Sequence, residues 1–251
     1  MRTHEAASAL FISDLHLSDA HPETTRAFLA FLRGPVRSAQ ALYILGDLFE
    51  YWAGDDDLDA PLNRVVRDAL ADVAATGVAV FFLPGNRDFL LGEDFARAAR
   101  LELLADPTAI EIGGQRVLLT HGDSLCTDDR AYQAYRAQVR DPAWRTAFLN
   151  RPLAERKQII EGLRQQSEAA KQVKAIEIMD VNPAAVEALL REHAYPVLLH
   201  GHTHRPAHHT LSVDGRRCER WVLEDWHDDA PYIRWDASGP RALRYAPPAA
   251  G

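Results

Sequence analysis

The sequence of 251 residues is 47% hydrophobic and 25% charged, which is the composition of an ordinary globular protein. Its net charge of −8 disfavours non-specific binding to nucleic acid, for which a basic surface supplies the affinity. Two cysteines are too few for a disulfide framework and favour a reducing cytosol. No stretch reaches the roughly 20 apolar residues of a membrane-spanning helix, and no apolar run of signal-peptide length precedes Asp14.

Strands and helices alternate through the first half of the chain. Apolar strands are predicted at residues 10–13, 42–45 and 78–83, and amphipathic helices at residues 22–33, 62–76 and 94–100. Two further strands, residues 108–112 and 117–120, flank Gly113-Gly114, which predicts a β-hairpin.

Residues 130–193 are helical in pattern and are interrupted by three prolines. A strand at residues 197–199 follows, and alternating strands rich in Trp, Tyr and Val begin at Thr210. This order of elements predicts a single α/β domain over residues 1–251, with a two-layer β-sandwich core flanked by helices. Residues of about 130–174 are predicted to form a helical insertion in this domain.

The predicted insertion is basic, although the chain is acidic. It contains seven arginines and all three lysines of the chain against four acidic residues, which gives a local charge of +6. Two interpretations remain open. The segment binds an anion or an acidic surface, or it is a solvated helix face with ion pairs at helical spacing.

Residues that can bind a metal ion follow directly after five of the apolar strands. In chain order they are Asp14 and His16, Asp47, Asn86, His121, and His202 with His204. An aspartate in the position of Asp47, taken alone, favours a helix N-cap. However, five such strand ends in one α/β sheet would meet at its carboxyl edge, where ligands bind. We therefore predict that these seven residues form one metal site.

The types of ligand favour two cations. Two carboxylates, one amide oxygen and four imidazoles, without a thiolate, suit Mn²⁺, Fe²⁺ or Zn²⁺ better than Ca²⁺. Seven ligands exceed the needs of one tetrahedral ion, so two ions that share a carboxylate are expected. Such a pair of ions is suited to the attack of water on phosphorus.

The motifs D-x-H, G-D-x-x-E, G-N-R-D, H-G-D and G-H-T-H together resemble those of the calcineurin-like metallophosphoesterase superfamily. The resemblance implies that one ion is held by Asp14, His16, Asp47 and His204, and the other by Asp47, Asn86, His121 and His202. It assigns no ligand role to His200. We likewise expect no metal-ligand role for five other histidines: His4, His21, His193, His208 and His209.

Arg87 departs from the superfamily, most members of which have a histidine after Gly-Asn. A histidine there can protonate an alkoxide leaving group, whereas an arginine stays protonated and can instead clamp a phosphate through two hydrogen bonds. A phosphate that leaves from a diphosphate needs no proton, so Arg87 favours a pyrophosphatase over a phosphodiesterase. The expected catalytic residues are Asp47, Asn86, Arg87 and His121.

Longer blocks, among them FISDLHLS, ALYILGDLFEYW, GNRDFLLG and HGHTHRP, resemble the UDP-2,3-diacylglucosamine diphosphatases of lipid A synthesis over about residues 10–226. This resemblance implies hydrolysis of UDP-2,3-diacylglucosamine to UMP and 2,3-diacylglucosamine 1-phosphate with two Mn²⁺ ions. It implies substrate contacts at Asn86, Arg87, Asp129, Ser167, Lys174 and His202. Lys171 stands where the family often has Asn. Glu224 and Asp225 stand where small residues are expected, with no predicted consequence.

A helix would bring Arg164, Ser167, Lys171 and Lys174 to one face, suited to the diphosphate and sugar. Apolar residues of the insertion would line a slot for acyl chains or pack it onto the core; they are Trp144, Phe148, Leu149, Leu153, Ile159, Ile160, Leu163 and Val173. A monomer held peripherally at the cytoplasmic side of the inner membrane is expected, without a nucleic-acid partner. The alternatives are another dinuclear metallophosphoesterase, such as a nuclease or nucleotide phosphodiesterase, and a metal-free binding scaffold.

Overall fold

The computed structural model describes residues 5–6, 8–173 and 180–246, with the side chains of residues 5–6 and 166–173 left out. Within these ranges the helices are α1 (Pro22–Arg33), α2 (Pro61–Ala75), α3 (Glu93–Ala99), α4 (Arg130–Arg140), α5 (Pro142–Leu149), α6 (Leu153–Val173) and α7 (Pro183–Glu192). The strands are β1 (Glu5–Ala6), β2 (Ala9–Ile12), β3 (Ala41–Ile44), β4 (Ala79–Phe82), β5 (Glu102–Leu103), β6 (Thr108–Ile112), β7 (Gln115–Thr120), β8 (Val197–His200), β9 (Ala207–Val213), β10 (Arg216–Val222), β11 (Ala230–Asp236) and β12 (Gly239–Tyr245). The elements predicted from the sequence are confirmed, with small shifts at their ends.

The strands form two six-stranded sheets. The order in the first sheet is β12-β11-β2-β3-β4-β5, and the order in the second is β1-β6-β7-β8-β10-β9. Strands β2, β3 and β4 are parallel neighbours in the first sheet, and β7 and β8 are parallel neighbours in the second. The predicted two-layer sandwich is therefore confirmed. The expectation that one sheet carries all five strands of the metal site is wrong, because three belong to the first sheet and two to the second.

A hydrophobic core lies between the two sheets. The rings of Phe11, Tyr43 and Phe81 stack across neighbouring strands of the first sheet, with centroids 5.0 and 4.7 Å apart. Leu119 and Leu199 of the second sheet are fully buried in the same cluster. Because successive side chains of a strand point to opposite faces, the outer face of the first sheet packs against α1, α2 and α3, and that of the second against α7. The loops after these strands thus extend from a core of four packed layers.

Helices α4, α5 and α6 occupy the segment predicted as a helical insertion and are called by that name below; their basic residues contact the rest of the chain. Arg136 Nε donates a hydrogen bond of 2.7 Å to Asp123 Oδ2. Arg156 is only 1% exposed and donates to the carbonyl oxygen of Ala53 at 2.5 Å. Lys157 Nζ pairs with Asp57 Oδ2 at 2.7 Å, in the short turn that follows Gly54. These partners lie on distant parts of the chain and not at helical spacing, so for these residues the structure supports neither an anion site nor a solvated helix face. No helix in the described part of the chain is both long and apolar enough to span a membrane.

Candidate metal centre

The loops that follow β2, β3, β4, β7 and β8 meet at one end of the sandwich. Backbone hydrogen bonds join them within each sheet, from Asp14 N to Gly46 O at 3.1 Å and from Gly201 N to His121 O at 3.0 Å. A bond between the sheets runs from the backbone N–H of His202 to Asp14 Oδ2 at 2.9 Å. The strand ends of two different sheets are therefore locked into one surface.

Asp14, His16 and His204 form a first group of donor atoms, all within 4.8 Å of one another. His204 Nε2 lies 3.4 Å from His16 Nε2 and 3.5 Å from Asp14 Oδ1. Asp14 is fully buried, and its Oδ1 has no hydrogen-bond partner among the described residues. A buried carboxylate oxygen without a partner is costly, and a cation between these three side chains would satisfy it.

A second group of donor atoms surrounds Asp47 and His121. Asp47 faces both groups, because its Oδ1 lies 3.7 Å from His121 Nε2 and its Oδ2 lies 3.9 Å from His16 Nε2. His121 Nε2 also lies 2.9 Å from Asn86 Oδ1, and its ring meets the ring of His202 at 5.0 Å between centroids. All seven predicted ligands are therefore in one cluster, called the metal cluster below, and together they fit a pair of cations.

Five of the seven residues have a left-handed backbone conformation. The φ angles are +55° at Asp14, +49° at His16, +52° at Asp47, +68° at His202 and +53° at His204. This region is unfavourable for residues other than glycine and persists where the surrounding structure enforces it, which is common at functional sites. No helix begins at Asp47, so its interpretation as an N-cap is wrong.

Asp88 holds the loops that carry Asp47 and Asn86. Its buried carboxylate accepts hydrogen bonds from four backbone N–H groups, those of Asp47, Leu48, Phe49 and Gly85. Burial and the charge of Asp47 raise the pKa of Asp88 to about 6, against the effect of these bonds. The G-N-R-D motif contains Asp88, but its role becomes visible only when the two loops are brought together.

Acidic residues in and beside the metal cluster raise the pKa values of two of its histidines. Burial opposes the charge of His121, yet Asp47 and Asp14 raise its pKa to about 9. Burial likewise opposes the charge of His204, whose pKa is raised to about 10 by Asp14 and Asp225. The acids thus produce a negative potential that attracts cations to the cluster.

A cavity of about 1080 Å³ opens over the metal cluster, and the helical insertion forms one of its walls. Of the apolar residues predicted for an acyl slot, four line this cavity: Trp144, Phe148, Ile160 and Leu163. Three do not line it: Leu149, Leu153 and Ile159. Ile159 packs against the hydrophobic core, as Trp144, Phe148 and Ile160 also do, and the side chain of Val173 is outside the described part. The cavity is therefore polar at the metal cluster and apolar at the insertion.

Five of the predicted substrate residues line the cavity, namely Asn86, Arg87, Asp129, Arg164 and His202. The backbone N–H of Arg87 donates to Asp47 Oδ1 at 2.8 Å, so its side chain starts beside the metal cluster. Asp129 Oδ1 accepts a bond from the backbone of Tyr132 and caps the start of α4. Asp129 thus has a structural role that the sequence did not indicate.

Arg164 does not present a free guanidinium to the cavity. Its Nη2 donates to Glu50 Oε1 at 2.9 Å, and its Nη1 pairs with Glu161. Lys174 lies outside the described residues, and the side chains of Ser167 and Lys171 on α6 are also outside them. The predicted basic face is therefore represented in the structure by Arg164 alone, which is held by acidic residues.

Comparison with known proteins relates this geometry to a family. The model of the calcineurin-like phosphoesterase family matches residues 7–206. A protein of Aromatoleum aromaticum named UDP-2,3-diacylglucosamine hydrolase is 71% identical over 239 residues, which cover 95% of this chain and 97% of that protein. Proteins of the same name from Xanthomonas campestris pv. campestris and Cellvibrio japonicus are each 49% identical, over 92% of this chain and 96% of each relative.

Proposed function

Because the chain belongs to the calcineurin-like phosphoesterases and, within them, to the family of the UDP-2,3-diacylglucosamine hydrolases, we propose that it hydrolyses the diphosphate of UDP-2,3-diacylglucosamine. The products are UMP and 2,3-diacylglucosamine 1-phosphate. The observation that carries this proposal is the cavity of about 1080 Å³, which the metal cluster and the apolar residues of the helical insertion line together. Such a cavity suits a substrate with a diphosphate at one end and acyl chains at the other.

The family implies a dinuclear metal site. In this proposal Asp14, His16, Asp47 and His204 hold one ion, and Asp47, Asn86, His121 and His202 hold the other. Support comes from the two oxygens of Asp47, one of which faces each group of donors. When bound, two divalent ions, which the family resemblance implies to be Mn²⁺, would lower the pKa of a water molecule and neutralise charge on the diphosphate.

The residues of the chain orient the reacting groups. His121 Nδ1 donates to the carbonyl oxygen of Leu45 at 2.9 Å, which fixes the ring and directs Nε2 into the metal cluster. The guanidinium of Arg87 binds phosphoryl oxygens through two parallel hydrogen bonds, while water attacks the phosphorus on the uridine side. The lipid 1-phosphate leaves without requiring a proton, so this site needs no general acid in the place of Arg87.

The acyl chains occupy the apolar side of the cavity. The rings of Trp144 and Phe148 stack at 4.8 Å between centroids and line this side together with Ile160 and Leu163. Each methylene removed from water contributes about 0.8 kcal/mol, so acyl chains add much of the binding energy. The helical insertion acts as the lid over the substrate. The monomer works at the cytoplasmic face of the inner membrane, where a diacylated substrate lies.

The proposal is tested by UMP release from UDP-2,3-diacylglucosamine, measured by mass spectrometry on chelator-treated protein before and after addition of Mn²⁺. We expect release only with the cation, and we expect the substrate without acyl chains to be cleaved far more slowly. Hydrolysis of bis-p-nitrophenyl phosphate is the comparison. Strong activity on this diester together with none on the lipid would refute the proposed substrate and favour another metallophosphoesterase activity.

A further inference from the structure

The two histidines at one end of the metal cluster each have a carboxylate behind them. His16 Nδ1 lies 3.0 Å from Glu50 Oε2, and His204 Nδ1 lies 3.1 Å from Asp225 Oδ2. The Nε2 atoms of the same two rings are 3.4 Å apart and face Asp14 and Asp47. Each ring therefore lies between a carboxylate on its outer side and the candidate cation position on its inner side.

The other end of the cluster is built differently. His121 Nδ1 is bound to the carbonyl oxygen of Leu45, which is uncharged. The carboxylate of Asp123 is near this end, but its Oδ2 accepts bonds of 2.7 Å from Tyr132 and from the Arg136 guanidinium. Asp123 is thus bound by side chains of α4, whereas Glu50 and Asp225 each lie directly beside a histidine of the cluster.

Glu50 and Asp225 are held in place by further contacts. The two carboxylate oxygens of Glu50 have different partners. Oε1 accepts a hydrogen bond from Arg164 of the helical insertion, while Oε2 faces His16. Asp225 directly precedes Trp226, whose backbone N–H donates to the carbonyl oxygen of Asp14 at 3.1 Å. The carboxylate behind His204 is thereby tied to the loop that carries the first ligand.

We infer that Glu50 and Asp225 are positioning residues that make the cation position at His16 and His204 the tighter of the two. The negative charge of a carboxylate beside Nδ1 favours the tautomer that carries its proton there, which leaves the Nε2 lone pair directed inward and makes the imidazole a stronger ligand. A backbone carbonyl also fixes the tautomer, but it adds only a dipole. The first cation therefore binds at His16 and His204. This inference rests on the metal assignment in the proposed function.

The test is a titration of the full-length, chelator-treated protein with Mn²⁺ by isothermal titration calorimetry. For the wild type we expect two binding steps with different Kd values. Asp225→Asn and Glu50→Gln keep the shape of each side chain and remove its charge, and each should raise the Kd of the tighter step by about 10–100-fold. The weaker step should change much less, and a general loss of structure would not produce this difference.

Glu219→Gln is the matched control, because Glu219 forms a carboxylate–histidine contact of 3.1 Å with His208 on the outer strands β9 and β10. It should leave both Kd values unchanged. Equal changes in both steps for Asp225→Asn and Glu50→Gln, a change in the weaker step alone, or no change would overturn the inference while leaving the metal assignment intact. A wild-type protein that binds no cation would refute the metal assignment and the inference together.

Discussion

Replacement of Asp88 by Asn should loosen the two loops that carry Asp47 and Asn86. In the structure, Asp88 Oδ1 accepts from the backbone N–H groups of Asp47 and Gly85, at 3.2 and 2.9 Å. Oδ2 accepts from the next two residues of the Asp47 loop, at 2.7 and 3.3 Å. An asparagine offers one acceptor oxygen, so two of the four N–H groups would face an amide nitrogen that also donates.

A hydrogen bond to a charged group contributes about 1.5–3 kcal/mol, so the loss of two corresponds to about 3–6 kcal/mol. Relief of the repulsion between Asp88 and Asp47 offsets part of this cost. We therefore expect Asp88→Asn to lower the free energy of unfolding by about 3 kcal/mol or more, as measured by urea denaturation of the metal-free protein. Turnover should fall as well, since Asp47 would no longer be held.

The control is Asp94→Asn on α3, where the carboxylate is exposed and pairs with Arg97 of the same helix at 2.8 Å. Such a pair contributes little, so the free energy of unfolding should change by less than about 1 kcal/mol. If Asp88→Asn were equally mild, the four hydrogen bonds would not be what holds the loops, and the account of how Asp47 is positioned would be refuted.

Three further changes probe the cavity. Arg87→Lys should lower kcat/KM by about tenfold or more because an ammonium cannot clamp a phosphate through two parallel bonds, and a kcat/KM equal to that of the wild type would contradict this role. Trp144→Ala should raise KM for the diacylated substrate more than for a short-chain analogue, since Trp144 lines the apolar side of the cavity. An equal increase in KM for both substrates would show that Trp144 has only a structural role. Mn²⁺ at about 100 times the Kd of the tighter step should stabilise the protein by at least about 2.7 kcal/mol in thermal denaturation. Asp14→Asn should reduce this gain, so an undiminished gain would show that Asp14 is not a ligand.

The periodicity of apolar residues, together with glycines and prolines at element ends, was sufficient to predict the longer helices and strands of this fold, but not the two-residue strands β1 and β5. These features could not predict which strands pair, because the residues of a short apolar strand do not indicate which other strand lies beside it. The placement of His121 in a different sheet from Asp47 therefore became visible only in the structure. The prediction that their side chains meet did not depend on this point, because the ligand-bearing ends of both sheets lie at the same end of the sandwich.

The contacts around the metal cluster were harder to predict from the sequence than the helices and strands. Asp225 had no predicted consequence, yet it lies 3.1 Å from His204 although the two residues are on separate loops. Arg164 was expected to face the substrate from its helical spacing, but Glu50 from a distant part of the chain holds its guanidinium. Helical spacing specifies the face on which a side chain lies, whereas the partner that neutralises it depends on how the helix packs.

The most direct test of the proposed function is hydrolysis of UDP-2,3-diacylglucosamine in water enriched in oxygen-18, with mass spectrometry of both products. Attack of water on the uridine-side phosphorus predicts one labelled oxygen in UMP and none in 2,3-diacylglucosamine 1-phosphate. Asp47→Ala, which removes the carboxylate that faces both halves of the metal cluster, should lower the rate of labelled UMP formation by several orders of magnitude. Label in the lipid phosphate, or an Asp47→Ala protein that turns over at about the wild-type rate, would contradict the account.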